Sequence, residues 1–67
     1  MRAYCYYARK ERIHMLMDAD ADDRVLGSIS KTNGRYYVYD ANGYYSGMYF
    51  YDLEHAKCYA MANYGWG

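Results

Sequence analysis

Apolar and polar residues alternate on both sides of two Asn-Gly pairs, a pattern typical of β-hairpins. Asn33-Gly34 and Asn42-Gly43 suit two-residue type I′ turns, because both central residues of such a turn need positive φ and these residues tolerate it. The pattern therefore predicts a three-stranded antiparallel meander. Its strands are Arg24 to Lys31, Arg35 to Asp40 and Tyr44 to Phe50.

The two short turns also predict which residues share a face of the meander. With two-residue loops, Ile29 lies opposite Val38 across the first turn, and Tyr36 lies opposite Tyr49 across the second. One face then carries Val25, Ile29, Tyr36, Val38, Tyr45, Tyr49 and Tyr51. The other face carries Leu26, Ser28, Ser30, Tyr37, Tyr39, Tyr44, Ser46, Met48 and Phe50. A slip of one residue would exchange the two sets.

A helix is expected after the meander. Asp52 is a good N-cap, since its carboxylate accepts hydrogen bonds from the first free backbone N–H groups, and Glu54 suits the positive end of the helix dipole. A narrow apolar stripe follows at helical spacing. It consists of Leu53, Ala56, Ala60 and Tyr64. Gly65 is the expected left-handed terminator, with Trp66 folding back on Met61.

The N-terminal third is predicted to add a second hairpin. Residues 3–8 have the composition of a strand, whereas residues 12–17 show both strand alternation and helical spacing. The strand is favoured, paired with the first through the charged turn at residues 9–11, and the helix stays open as the alternative. Residues 18–23 are expected to form a solvated acidic loop. The predicted fold is α+β, a single domain over residues 1–67, with an antiparallel sheet of four to five strands and one C-terminal helix packed on one face.

Tyrosine supplies most of the apolar surface. Ile, Leu, Val and Phe together number only eight, whereas the chain has twelve tyrosines and no proline. Because Tyr favours strands and buries a large ring while its hydroxyl stays hydrated, a folded, β-rich domain is expected. Zero net charge argues against a strongly basic nucleic-acid binder. The apolar runs are too short to span a bilayer and no signal peptide is recognised, which predicts a cytoplasmic protein.

Candidate chemistry is sparse. Four potential zinc ligands lack the spacing of a zinc knuckle. They are Cys5, His14, His55 and Cys58. The alternating aspartates of residues 18–23 resemble the start of a calcium loop, but the glycine and glutamate that such a loop needs are missing. We therefore expect no enzymatic activity, metal or cofactor. Two reduced thiols are favoured at Cys5 and Cys58, with a disulfide between them as the alternative.

The sheet face that the helix does not cover is the predicted binding surface. A large exposed aromatic patch normally marks an interface, and tyrosine is enriched at binding hot spots. The predicted partner-binding residues are Tyr37, Tyr39, Tyr44, Met48 and Phe50. The alternative is that the N-terminal hairpin, or a second copy of the chain in a homodimer, covers this face and makes it core.

Nucleic-acid binding is the alternative function. Tyrosines on an open sheet can stack on bases while arginines and lysines contact phosphates. The basic residues lie mainly in residues 1–12 and 24–35. The acidic segment 18–23 separates them in the sequence and is expected to weaken their combined field.

Tyr49 to Ala56 combine aromatic residues with Asp-Leu-Glu-x-Ala at the predicted start of the helix. With its size, layout and composition, the chain resembles small phage-encoded accessory proteins, including anti-CRISPR inhibitors, which are often antiparallel sheets packed by one helix. The resemblance implies a stoichiometric inhibitor or adaptor in a bacterial cytoplasm, which blocks a host defence protein or complex by occlusion. It implies no particular functional residue, because such proteins share no common site.

Overall fold

The computed structural model describes residues 2–65, which form a five-stranded antiparallel sheet and one α-helix. The strands lie side by side in sequence order, so the sheet is a meander. They are β1 (Ala3–Ala8), β2 (Ile13–Asp18), β3 (Arg24–Thr32), β4 (Arg35–Asp40) and β5 (Tyr45–Phe50). The helix α1 (Leu53–Tyr64) packs on one face of the sheet. The predicted α+β fold is confirmed.

The N-terminal hairpin forms the first two strands of the sheet. β1 and β2 pair from Ala3 opposite Asp18 to Ala8 opposite Ile13, so the strand interpretation of residues 12–17 is confirmed over the helical one. β2 in turn pairs with β3. Because the hairpin extends the sheet sideways, it does not cover the open face, and that alternative is wrong.

The first Asn-Gly pair forms the predicted type I′ turn. Asn33 and Gly34 have φ angles of 53° and 77°, and the strands pair immediately on either side of them. The two-residue loop sets the register of β3 against β4. Ile29 consequently lies opposite Val38, as predicted.

Replacing Gly34 with valine should lower the free energy of unfolding by about 1–2 kcal/mol, because a β-branched residue resists a φ of 77°. No other atom lies within 4 Å of the position a Cβ would take, so the cost is conformational. Thermal unfolding followed by circular dichroism measures it. Gly34→Asn is the matched control, since asparagine tolerates this region. Equal melting temperatures for the two variants would contradict a type I′ turn here.

The second Asn-Gly pair forms a different turn from the predicted one. The carboxylate of Asp40 accepts hydrogen bonds from the backbone N–H groups of Asn42 and Tyr44, both at 2.9 Å. The N–H of Gly43 donates to the carbonyl of Asp40 at 3.1 Å. φ is positive at Gly43 (87°) but not at Asn42, so residues 41–43 form a type I turn followed by a left-handed glycine. The predicted two-residue loop is wrong because the Asp40 side chain caps the turn's N–H groups.

β5 also contains a bulge that was not predicted. Gly47 has a φ of 91°, and the hydroxyl of Ser46 accepts a hydrogen bond from the N–H of Met48 at 3.2 Å. The observed pairs are Tyr39 with Tyr45, Tyr37 with Tyr49, and Tyr36 with Phe50. The predicted pairing of Tyr36 with Tyr49 is therefore wrong by one residue, and β5 presents its residues to the opposite faces from those predicted.

The hydrophobic core lies between α1 and the centre of the sheet. Its buried members are Leu16, Leu26, Ile29, Val38, Ala56 and Ala60. The ring of Tyr64 packs over Gly27, where an added Cβ would come within 3.1 Å of the ring and 2.9 Å of the Tyr39 carbonyl oxygen. The glycine in β3 therefore allows the end of α1 to lie close to the sheet. The predicted apolar stripe of the helix faces this core.

The two ends of α1 differ in how well they were predicted. The carboxylate of Asp52 accepts a hydrogen bond from the N–H of Glu54 at 2.9 Å, which confirms the N-cap. Gly65 has a φ of −85°, so the predicted left-handed terminator is wrong; its N–H donates to the Met61 carbonyl at 2.9 Å in the helical pattern. The predicted contact of Trp66 lies outside the described residues. None of the helices formed by residues 2–65 has the length and apolar character needed to cross a bilayer.

The acidic segment after β2 is more ordered than a solvated loop. Asp18 is only 4% exposed, and its carboxylate accepts hydrogen bonds from the N–H groups of Asp20 at 3.0 Å and Arg2 at 3.4 Å. Residues Ala19–Ala21 form a short 3-10 helix that Asp18 caps. The prediction of a solvated loop is therefore wrong for Asp18, which stabilises the connection between β2 and β3.

Candidate functional site

The sheet face opposite α1 carries a group of tyrosine rings in mutual contact, here named the tyrosine face. Its members are Tyr37, Tyr39, Tyr45, Tyr49 and Tyr51. The ring centre of Tyr45 lies 5.6 Å from that of Tyr37 and 5.8 Å from that of Tyr39. Tyr49 lies 5.6 Å from Tyr37 and 5.8 Å from Tyr51. These separations are typical of favourable aromatic pairs, so each ring is held in place by contacts with its neighbours.

Arg35 places a positive charge at one edge of the tyrosine face. Its guanidinium carbon lies 5.3 Å from the ring centre of Tyr49 and 6.0 Å from that of Tyr51, within cation–π range. A hydrogen bond with Tyr37 raises the pKa of Arg35. A hydrogen bond with Tyr51 raises the pKa of Tyr49 above its ordinary 10.0, so its phenol is neutral at physiological pH.

A second aromatic pair lies on the same face at the other side of the sheet. Tyr4 and Tyr6 of β1 stack with ring centres 6.2 Å apart. The Tyr4 hydroxyl donates to the Asp23 carboxylate at 2.8 Å, which raises the pKa of Tyr4. The registers place two strands between the two aromatic groups on this face, with Ile13, Met15 and Met17 of β2 followed by Ser28 and Ser30 of β3. Apolar side chains of β2 and hydroxyl side chains of β3 therefore separate the Tyr4–Tyr6 pair from the tyrosine face.

Two of the five predicted partner-binding residues belong to the tyrosine face, namely Tyr37 and Tyr39. Phe50 does not: its ring lies 5.6 Å from that of Tyr59 on α1 and packs against the core. Tyr44 is 72% exposed in the loop before β5, and Met48 is exposed in the bulge.

The tyrosine-face members of β5 and its end were missed by the sequence prediction. They are Tyr45, Tyr49 and Tyr51. The signals that could have found them are Asp40 immediately before the second turn and Gly47 within the strand. The first lengthens the loop by one residue and the second marks the bulge.

Most of the cations lie at one end of the sheet and most of the carboxylates at the other. Because neighbouring strands are antiparallel, the β1–β2 and β3–β4 turns lie at the same end, here called the basic end. Its cations are Arg9, Lys10, Arg12, Lys31 and Arg35. The segment 18–23 lies at the other end, the acidic end. A six-residue strand spans about 20 Å, so the two ends are separated by more than the Debye length of about 8 Å, and the expected weakening of the basic field by this segment stays a prediction.

The potential zinc ligands are not brought together. Cys5 is half-buried towards α1, where burial raises the pKa of its thiol, and Cys58 is exposed; both thiols are free. His14 packs between Tyr7 and Tyr36, with ring centres 4.8 Å and 6.4 Å away. Within the described range, residues 2–65, no group of three His, Cys, Asp or Glu side chains is placed to hold a metal ion.

Lowering the pH from about 6.5 to about 5, above the range in which carboxylates titrate, should destabilise the protein through His14. Burial, with a smaller contribution from Lys57, lowers the pKa of His14 below its ordinary 6.5. The unfolded state therefore binds the proton first, and stability is lost as the pH falls towards the folded-state pKa. Melting temperatures across this range should fall less for His14→Phe than for the wild type. His55→Phe on α1 is the control, and a parallel fall in all three proteins would contradict a role for His14.

A shallow depression of about 440 Å³ opens at the acidic end, beside the last turn of α1. Its polar lining residues are Arg24, Asp40, Asn42, Asn63 and Tyr64. This lining combines one cation, one carboxylate and two amides around an open concavity. The tyrosine face offers more aromatic contact area on a rigid sheet, and it is the stronger candidate for binding.

Comparison of the chain with protein-family models, with curated proteins and with solved structures finds no match.

Proposed function

We propose that the protein is a small protein-binding inhibitor or adaptor of phage or mobile-element type, which blocks a bacterial host protein by stoichiometric binding. The observation that carries the proposal is the tyrosine face, whose five rings contact one another on the side of the sheet opposite α1. The bacterial setting and the inhibitory role rest on the resemblance to small phage-encoded inhibitors. Occlusion of the partner's surface is the proposed mode of action.

The physical properties of the tyrosine face favour a protein partner. Tyrosine offers a large contact area with only two side-chain torsions to fix, so little conformational entropy is lost on binding. Here the rings are already held by their neighbours, which reduces that loss further. The hydroxyls remain available for hydrogen bonds at the rim, and Arg35 adds a guanidinium, another group enriched at hot spots. A partner with an apolar patch bordered by carboxylates would complement this surface.

A second candidate function, binding of single-stranded nucleic acid, is favoured by one specific observation. The basic end gathers five cations from two turns, and Arg35 joins it to the tyrosine face. Stacking rings beside a line of cations are the usual elements of single-strand recognition. The zero net charge and the acidic end oppose this reading, because polyanion binding gains from a field of one sign over the whole domain.

Affinity capture from bacterial lysate with matched variants tests the proposal. The wild type and Tyr44→Ala should retain the same host protein after nuclease treatment, whereas Tyr39→Ala/Tyr49→Ala should lose it. The retained protein should then bind the purified chain at a fixed stoichiometry. Capture that disappears with nuclease and falls steeply with salt would favour the nucleic-acid candidate. Equal retention by the double variant and the Tyr44 control would exclude the tyrosine face as the binding surface.

A further inference from the structure

Strand β1 forms an edge of the sheet that lacks the usual protection against pairing. It pairs with β2 over six consecutive positions without a register shift, so its backbone is regular. Its sequence, Ala-Tyr-Cys-Tyr-Tyr-Ala, contains no charged residue and no proline. Within residues 2–65 no strand pairs with its outer side. Such an edge presents a row of backbone donors and acceptors to a further strand.

The opposite edge of the sheet is unsuited to the same role. β5 is interrupted by the bulge at Gly47, with its φ of 91° and its register shift against β4. A bulge bends the strand and breaks the regular spacing that a pairing partner needs. The fold therefore leaves one regular edge, and that edge is β1.

The charges flanking β1 are opposite at its two ends. At its start, the Arg2 carbonyl accepts from the N–H of Ala19 at 2.9 Å and the Tyr4 hydroxyl binds Asp23. These bonds place the acidic segment beside the start of β1, where its aspartates outnumber Arg2 and Arg24. At its end the chain enters the β1–β2 turn, where the cations Arg9, Lys10 and Arg12 outnumber Glu11. If two β1 edges pair antiparallel, the acidic segment of each copy lies beside the basic turn of the other. Two parallel edges would set like charges together.

We propose that β1 pairs antiparallel with β1 of a second copy of the chain, which joins two five-stranded sheets into one of ten strands. The second copy is the favoured occupant because this edge complements itself in charge and in backbone hydrogen bonding. The arrangement has a two-fold axis perpendicular to the sheet, as expected for a symmetric dimer. Both tyrosine faces then lie on the same side of the joined sheet, and the assembly offers two binding surfaces to a multivalent partner.

Symmetry limits the register of this pairing. Directly opposite residues of an antiparallel pair point to the same face of a sheet. In a symmetric dimer this condition is met only if one residue of β1 lies directly opposite the same residue of the second copy, with the two-fold axis between them. Near the middle of β1 this gives two registers, one with Cys5 opposite Cys5 of the second copy and one with Tyr6 opposite Tyr6. Residues opposite each other have Cα atoms about 4.5–5.5 Å apart, within reach of a disulfide.

A charge-exchange experiment tests the partner and the orientation. The first variant is Arg9→Glu/Lys10→Glu, and the second is Asp20→Lys/Asp22→Lys. Sedimentation equilibrium should show a wild-type dimer. Each variant alone should dimerise at least about tenfold more weakly, because the groups at both ends of its β1 strand then carry net charge of the same sign. An equimolar mixture should restore dimers. Melting temperatures check that each variant is folded.

The matched control separates edge pairing from simple attraction between oppositely charged proteins. Lys31→Glu/Arg35→Glu changes the net charge by the same amount on β3 and β4, which lie two and three strands away from β1. Its mixture with the second variant should associate at least about tenfold more weakly than the mixture of the two edge variants. Equal association of both mixtures would overturn the proposal, as would a wild-type protein that stays monomeric into the millimolar range, in which case any strand that pairs here comes from a different protein.

Single cysteines along β1 test the register. Four variants, all with Cys58→Ser, each carry a single cysteine in β1, at position 4, 5, 6 or 7. The variant with the cysteine at position 5 keeps the native Cys5, and the other three also carry Cys5→Ser. Mild oxidation should give a disulfide-linked dimer at position 5 or at position 6, and little at positions 4 and 7, because a displacement of two residues along the strand moves the Cα atoms beyond about 7 Å. Equal cross-linking at all four positions, or none, would contradict the antiparallel β1 pairing.

Discussion

Replacing Tyr39 with alanine should weaken binding to the captured host protein by about 30-fold, equivalent to about 2 kcal/mol, and should leave the chain folded. Tyr39 is half-buried on β4, opposite Ser28 of the central strand, with its ring against Tyr45. Central, partly buried aromatic side chains dominate the binding energy of protein interfaces, while the rim contributes little. Titration calorimetry of the purified pair measures the loss, and the melting temperature of the variant is recorded beside it.

Tyr44→Ala is the control for this measurement, because Tyr44 is 72% exposed in the loop before β5. It should change affinity by less than about threefold. Lys10→Glu should act mainly on the association rate. If Tyr39→Ala unfolds the chain, Tyr49→Ala takes its place, since Tyr49 is more exposed on the same face. A retained affinity in a folded Tyr39 or Tyr49 variant would contradict the proposed surface.

Replacing Ile29 with alanine should unfold a large part of the protein at room temperature. Ile29 is 1% exposed in β3, the central strand, and belongs to the small cluster that joins sheet and helix. Truncating a buried isoleucine costs about 2–5 kcal/mol. A core of this size in a chain of 67 residues supplies about 3–5 kcal/mol, so the loss is comparable to the whole stability. Urea unfolding followed by circular dichroism gives the difference.

Ile13→Ala is the matched control for Ile29→Ala, because the same side chain is truncated at a half-buried position at the start of β2. Its cost should be less than half as large. Comparable losses from the two variants would show that the stability does not depend on the packing of α1 over β3.

The parts of the fold that short-range chemistry determines were predictable from the sequence. Asn33-Gly34 fixed a two-residue turn because both residues tolerate the positive φ that a type I′ turn needs, and the register of β3 against β4 followed from it. Asp52 fixed the start of α1 through its own carboxylate. The alternation in β2 outweighed its helical spacing, since the neighbouring strands supply hydrogen-bond partners on both sides.

Only part of the candidate site was predictable, because the faces on which the β5 residues lie depend on the number of residues in the preceding loop and in the strand itself. The Asp40 side chain adds one residue to the second loop, and the bulge at Gly47 adds two more to β5. The extra loop residue moves Tyr45, Tyr49 and Phe50 to the opposite faces, because side chains alternate with a period of two residues. The bulge, which adds two residues, leaves the faces unchanged and alters only which residues pair. The separation of charge into two ends required the strand order, which local pattern does not contain.

The sequential order of the strands also bears on how quickly the chain can reach its folded state. Every strand pairs with the strand before or after it in the chain, through connections of a few residues, and α1 packs on the strands that directly precede it. Each step of assembly therefore closes a short loop. The entropy cost of closing a loop is lower for a short loop than for a long one. A low contact order of this kind is associated with rapid folding even in β-rich domains. We therefore expect this sheet to assemble from hairpins that form one after another.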